Sequence, residues 1–171
     1  MFNYNKILND AAVKFNMQGQ NKELLPIGND KKGRILANID MGLSKIADDS
    51  KRHCIYKSDQ EKINKENYKE QLMSDFVYTM NLYMIFASMN NWTDAIVMSD
   101  EEQEKLFSLK ADDDFNKVYL SIKKMLFNGY FNHNKKDFIF SWKMLNKYAI
   151  VDFGFDISEM VSHFDQTNST K

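Results

Sequence analysis

One cysteine, one proline and six glycines in 171 residues leave this chain with little that cross-links or bends a backbone. A single thiol, Cys54, cannot form an intramolecular disulfide. Glycine and proline together make about 4 % of the chain, against roughly 12 % in average proteins. That scarcity argues against an all-β sandwich or barrel, which needs a turn about every 8–12 residues. An excess of charge is missing too, since 23 basic residues face 24 acidic ones for a formal −1. No overall field therefore draws in nucleic acid, and none is expected as a partner. No uncharged apolar run reaches the ~18 residues of a membrane span. Met1 to Lys6 shows no basic segment leading into an apolar one, so no signal peptide is expected. The expectation is a cytoplasmic chain with no membrane partner.

What the chain does have is 13 Phe, 8 Tyr and 11 Met, arranged with helical period. A first helix is predicted from Tyr4 to Gln18, then a loop from Asn21 to Asp30 holding the only proline. Ile35, Ile39, Leu43 and Ile46 step by four, four and three, so a second helix runs from Lys32 to Lys51. The polar stretch Ser58 to Lys65 reads as a loop. A third helix, Lys65 to Asn90, is apolar almost all the way round and should be packed by neighbours on several sides. Ser99 and Glu102 have capping-box spacing and open a short helix to Leu109. Asp112 to Asp114 suit the positive N-terminus of another helix, which Asn128-Gly129 should stop. A further helix covers Asn134 to Asp152, and Gly154 separates it from a last one, Ser158 to Phe164. The sum is an all-α domain over residues 1–165, four long helices with two or three short ones, and a polar tail over 166–171. The Met and aromatic surplus is either a soft core or an interface with a partner or second subunit.

Chemistry-bearing motifs are few. His53, His133 and His163 have no metal-ligand spacing, and no phosphate-binding glycine loop or nucleophile elbow exists. Lys123-Lys124 and Lys135-Lys136 bracket Tyr130-Phe131, a solvated helix edge or a phosphate contact. Asp40 and Asp75 are more informative. Each sits beside a core-facing apolar stripe, where a carboxylate is costly unless paired or bound to metal.

Three segments together resemble the dimeric all-α dUTPases, within the all-α nucleoside-triphosphate pyrophosphatases. Lys143-Met144-Leu145-Asn146-Lys147-Tyr148, followed by Gly154-Phe155, is similar to that family's late phosphate-holding helix. Asn67 to Tyr78, with Glu70, Leu72 and Asp75, is similar to its Asn-x-x-x-Glu-Leu-x-Asp helix. Phe15-Asn16-Met17-Gln18 is similar to a helix whose glutamine faces the base. The resemblance implies a homodimer, with Gln18, Lys143 and Asn146 as nucleotide-binding residues. It also implies Asp40 and Asp75 as remnants of a catalytic, magnesium-binding set.

The departures bear on activity. The family pairs acids three residues apart on facing helices to hold Mg²⁺. Here the partner positions are Leu43 and Leu72, or in another register Gln71 and Ser74. There is also about one residue more before Gly154 than the family pattern has. Two readings follow. One is a dUTPase-like chain that keeps the fold and acts by binding a nucleotide or protein, with no cofactor or weakly held Mg²⁺. The other is an active pyrophosphatase with a remodelled site drawing on Asp40, Asp75 and Asp48 or Asp49. The lysine- and asparagine-rich style associates the chain with an AT-rich bacterium, its phage or a mobile element.

Overall fold

A computed structural model describes residues 1–21, 30–60 and 67–168. Among them every regular element is helical: α1 (Tyr4–Asn21), α2 (Lys31–Ser50), α3 (Lys57–Gln60), α4 (Tyr68–Met89), α5 (Thr93–Ile96), α6 (Asp100–Phe107), α7 (Phe115–Phe131), α8 (Lys135–Lys147), a π-helical turn (Tyr148–Asp152) and α9 (Ile157–Asn168). The all-α expectation holds. Residues 22–29 and 61–66, the bulk of the two expected loops, lie outside the described residues.

The ends of these helices follow from local chemistry. Asp30 caps α2 by accepting the Gly33 N–H at 2.7 Å, and Lys51 closes it in a left-handed conformation at φ 52°. The capping box forms as predicted: Ser99 accepts from the Glu102 N–H, and the Glu102 carboxylate accepts from the Ser99 N–H at 3.0 Å. Asp114, last of the acidic triplet, caps α7 through the Lys117 N–H at 2.9 Å.

α4 is the central element. It packs against α2, α1, α9 and α5, which accounts for its all-round apolar surface. Phe76, Val77, Met80, Tyr83 and Ala87 are fully buried on it. Several polar groups inside the core find partners. The Tyr83 hydroxyl meets Ser141 Oγ at 2.7 Å, Ser141 donates to the Ile122 carbonyl, and the Trp142 indole donates to the Ile96 carbonyl at 2.9 Å. Gln103, buried on α6, exchanges two hydrogen bonds with the backbone of Phe2 and so ties down the start of the chain.

Three boundaries differ from expectation. Gly129 does not stop α7, which runs on to Phe131. Gly129 is buried instead, at the closest approach of α7 to α8, where an added Cβ would lie 2.9 Å from Phe138 Cβ. The late helix is not uniform either: α8 ends at Lys147 and the chain continues as a π turn, then reverses at Gly154 with φ 69°. A π turn carries one residue more than the α-helix it interrupts. Finally, α9 continues through Asn168, inside the expected tail. Asn168 donates to Asn81 at 3.2 Å and Lys14 reaches the Thr167 carbonyl, so packing, not composition, sets that end.

Candidate functional site

The candidate acids lie on the two helices that pack most extensively, α2 and α4. Gly42 on α2 sits directly against Thr79 on α4, which lets the helices approach closely. Asp40 and Lys45 are five residues apart on α2, about 140° around a helix of 3.6 residues per turn. They therefore address different neighbours. Asp40 faces α7 and pairs with Lys123 at 2.6 Å. Lys123 also donates to Tyr119 and Ser44, and its pKa stays raised because these contacts outweigh the opposing effect of burial. Lys45 faces α4 and pairs with Asp75 at 2.5 Å.

Asp75 is the more confined carboxylate, with a side chain 6 % exposed. Its Oδ1 accepts from Lys45 and from Gln71 at 3.2 Å, while its Oδ2 is buried with no donor. Asp49, one turn beyond Lys45, has its carboxyl pushed up, first by burial and then by the Asp75 carboxylate beside it. Beside this group lies a groove of about 310 Å³ lined by Asn38, Met41, Gly42, Lys45, Asp75 and Tyr78. Met41 and Tyr78 are both about half exposed there.

As a magnesium donor set this arrangement does not fit. Mg²⁺ wants several hard oxygens in octahedral order. Asp40 and Asp75 each already hold a lysine, and Leu43 and Leu72, where further acids would stand, are 1 % exposed core residues. Among the described residues no group of three or more His, Cys, Asp or Glu side chains is placed to hold a metal ion.

The late-helix residues separate. Lys143 is on the surface, paired with Glu102 of α6 at 3.0 Å. Asn146 is fully buried: its amide donates to the Trp142 carbonyl at 2.8 Å and its oxygen accepts from the Tyr4 hydroxyl at 2.7 Å. Three positions apart, they share no open surface, because Asn146 turns inward to α1. Gln18 lies in the last turn of α1, and its side chain is outside the described part.

Sequence reasoning missed a second charged centre around the π turn. Asp152, its side chain 0 % exposed, accepts from the Asp112 N–H at 2.9 Å and pairs with Lys147 at 2.9 Å. Lys147 also reaches Asp112 at 2.6 Å. Nearby, the Arg52 guanidinium lies 4.1 Å from the Phe115 ring centre and 4.4 Å from that of Phe153. His53 bridges Asn116 and the Tyr148 hydroxyl. One signal was available: the chain holds just two arginines, and Arg52 directly follows the residue that ends α2. No family model, curated protein or solved structure matches the chain.

Proposed function

We propose that this chain is a dUTPase-like helical domain that acts by binding rather than by hydrolysis. One observation carries the reading. The two carboxylates in the family-like positions are each neutralised by their own lysine, and the two positions that would complete the acid pairs are core leucines. A triphosphate brings about four negative charges, and metal-dependent hydrolysis needs oxygen ligands to hold cations against them. Lysine-neutralised aspartates leave no spare carboxylate to orient and deprotonate a water. The all-α architecture agrees with the fold class that the likeness implies.

The groove between α2 and α4 is the proposed binding place. Its size is at the lower end of small-molecule sites. Lys45 offers a cation at its edge, Tyr78 an aromatic face and Asn38 an amide. A nucleotide or a side chain of a protein partner meets that chemistry. Calorimetric titration with dUMP and a non-hydrolysable dUTP analogue, with and without Mg²⁺, tests it. Binding that does not depend on metal and weakens in Lys45→Ala is expected. Binding that appears only with Mg²⁺ would sink the reading. No nucleotide binding at all would leave a protein as the partner.

The active-enzyme reading draws on Asp49, whose carboxyl pKa is raised by burial and by the nearby Asp75 carboxylate. It requires Lys45 to leave Asp75 when metal and substrate arrive.

A further inference from the structure

The charge of this molecule is unevenly placed. The hairpin from Phe115 to Lys147 holds seven lysines against one aspartate, a net of +6 in a chain of −1, leaving −7 on the rest. Four of those lysines, 123, 135, 143 and 147, are used internally, each on an acid from another part of the fold. Among the described residues Lys117, Lys124 and Lys136 form no ion pair, and all three are exposed.

These free lysines flank an apolar seam. Val118, Ile122, Leu126 and Gly129 turn the inner face of α7 to the core, so Leu120 and Phe131 fall on the outer face, with Phe127 half-buried beside them and packed against the core. Leu120 is 62 % exposed and Phe131 69 %, with the Phe127 ring 6.2 Å from that of Phe131. The Gly129–Phe138 contact sets α8 antiparallel beside α7, which brings Phe140, 52 % exposed, level with Phe127, and Lys136 level with Phe131. Leu120 and Phe127 are seven residues apart, as are Lys117 and Lys124. That repeat sets an apolar row beside a charged row along α7.

We propose that the outer face of the α7–α8 hairpin docks an acidic amphipathic helix of a partner protein. Its apolar ridge covers Leu120, Phe127, Phe131 and Phe140, and its Asp and Glu side chains meet the three free lysines. A second copy of this chain docked isologously would set the same lysines against one another, so charge disfavours it. A nucleic acid strand makes little use of an aliphatic leucine, and this face carries no arginine. The inference rests on the reading of the chain as a binding protein.

The test uses the full chain and a labelled helical peptide of about three heptads, with Leu at a and d and Glu at e and g. Fluorescence anisotropy should show saturable binding that weakens at least tenfold in the triple variant Lys117→Glu, Lys124→Glu, Lys136→Glu, and similarly in Phe131→Ser. A peptide with Lys in place of Glu should bind that triple variant better than the native chain. A salt titration of the native chain, which needs no variant, should weaken binding steadily. Equal affinity for a scrambled peptide of the same composition overturns the proposal, as does unchanged binding by the triple variant. So does lysine-dependent binding of an oligothymidylate in place of the peptide. Pyrophosphatase activity would remove the non-hydrolytic reading without moving any of these results, so the two failures are distinguishable.

Discussion

Asp75 and Asp152 are built from nearly the same parts and behave differently. Both are buried aspartates, and each pairs with one lysine and keeps one oxygen without a donor. The difference lies in the company. Lys147 is itself 12 % exposed and held by a second acid, Asp112, whose own backbone N–H donates to Asp152. Lys45 is 54 % exposed, and besides it and the Gln71 amide Asp75 has another carboxylate near it, that of Asp49. A buried charge held by a mostly buried lysine and a backbone N–H is a structural fastener. One beside a like charge and a solvent-facing lysine is poised to respond to what arrives. The π turn is thus fastened, and the α2–α4 groove is responsive.

The strongest way to break this contrast is to take away each lysine. Lys147→Met leaves a fully buried carboxylate without its cation and should cost about 3–5 kcal/mol in urea unfolding. Lys45→Met should cost less, about 1–2 kcal/mol, because the lysine is mostly in solvent and water can follow Asp75. A larger loss for Lys45 than for Lys147 would reverse the assignment of the two centres. Leu43→Glu with Leu72→Glu, which would rebuild both acid pairs, is expected to unfold the domain, since each places a charge in the core. Retained cooperative melting by that double variant would show that these positions have access to water.

Smaller effects sharpen the comparison. Gly129→Ala should cost about 1–3 kcal/mol by forcing α8 away at Phe138. Asp49 holds its proton more tightly folded than unfolded, so its contribution to stability declines as pH rises above the ordinary carboxylate value. Asp49→Asn should flatten that decline and add about 0.5 kcal/mol or less at neutral pH, because Asp49 is largely solvated. Glu102 runs the other way. The Ser99 N–H and Lys143 hold its pKa down, so its contribution is present above the ordinary glutamate value and lost as pH falls through the lowered one. Lys143→Ala should move stability by under about 0.5 kcal/mol, as exposed pairs do.

How much of this was legible beforehand depends on whether the cause is local. Periodicity placed the α2 core face and the central helix α4, and cap chemistry placed the starts of α6 and α7, because those signals lie within one or two turns. Gly129 misled for the same reason: a glycine that ends a helix and one that lets two helices touch look alike until the second helix is in place. The ion pairs Asp40–Lys123 and Asp75–Lys45 were not legible, since each depends on the register at which two distant helices cross. The burial of Asn146, read from sequence as a nucleotide-binding residue, was not legible because nothing near it in sequence announces Tyr4, which lies 142 residues away. The π turn was visible only as a surplus residue before Gly154.

Central to the account is the proposal that lysine-neutralised aspartates and core leucines leave no hydrolytic centre, and pyrophosphate release from dUTP tests that most directly. Purified chain with Mg²⁺ or Mn²⁺ at neutral pH should release pyrophosphate at no more than trace rates, unchanged in Asp75→Ala. Turnover near the enzyme median of about 10 per second, lost in Asp75→Ala, would contradict it.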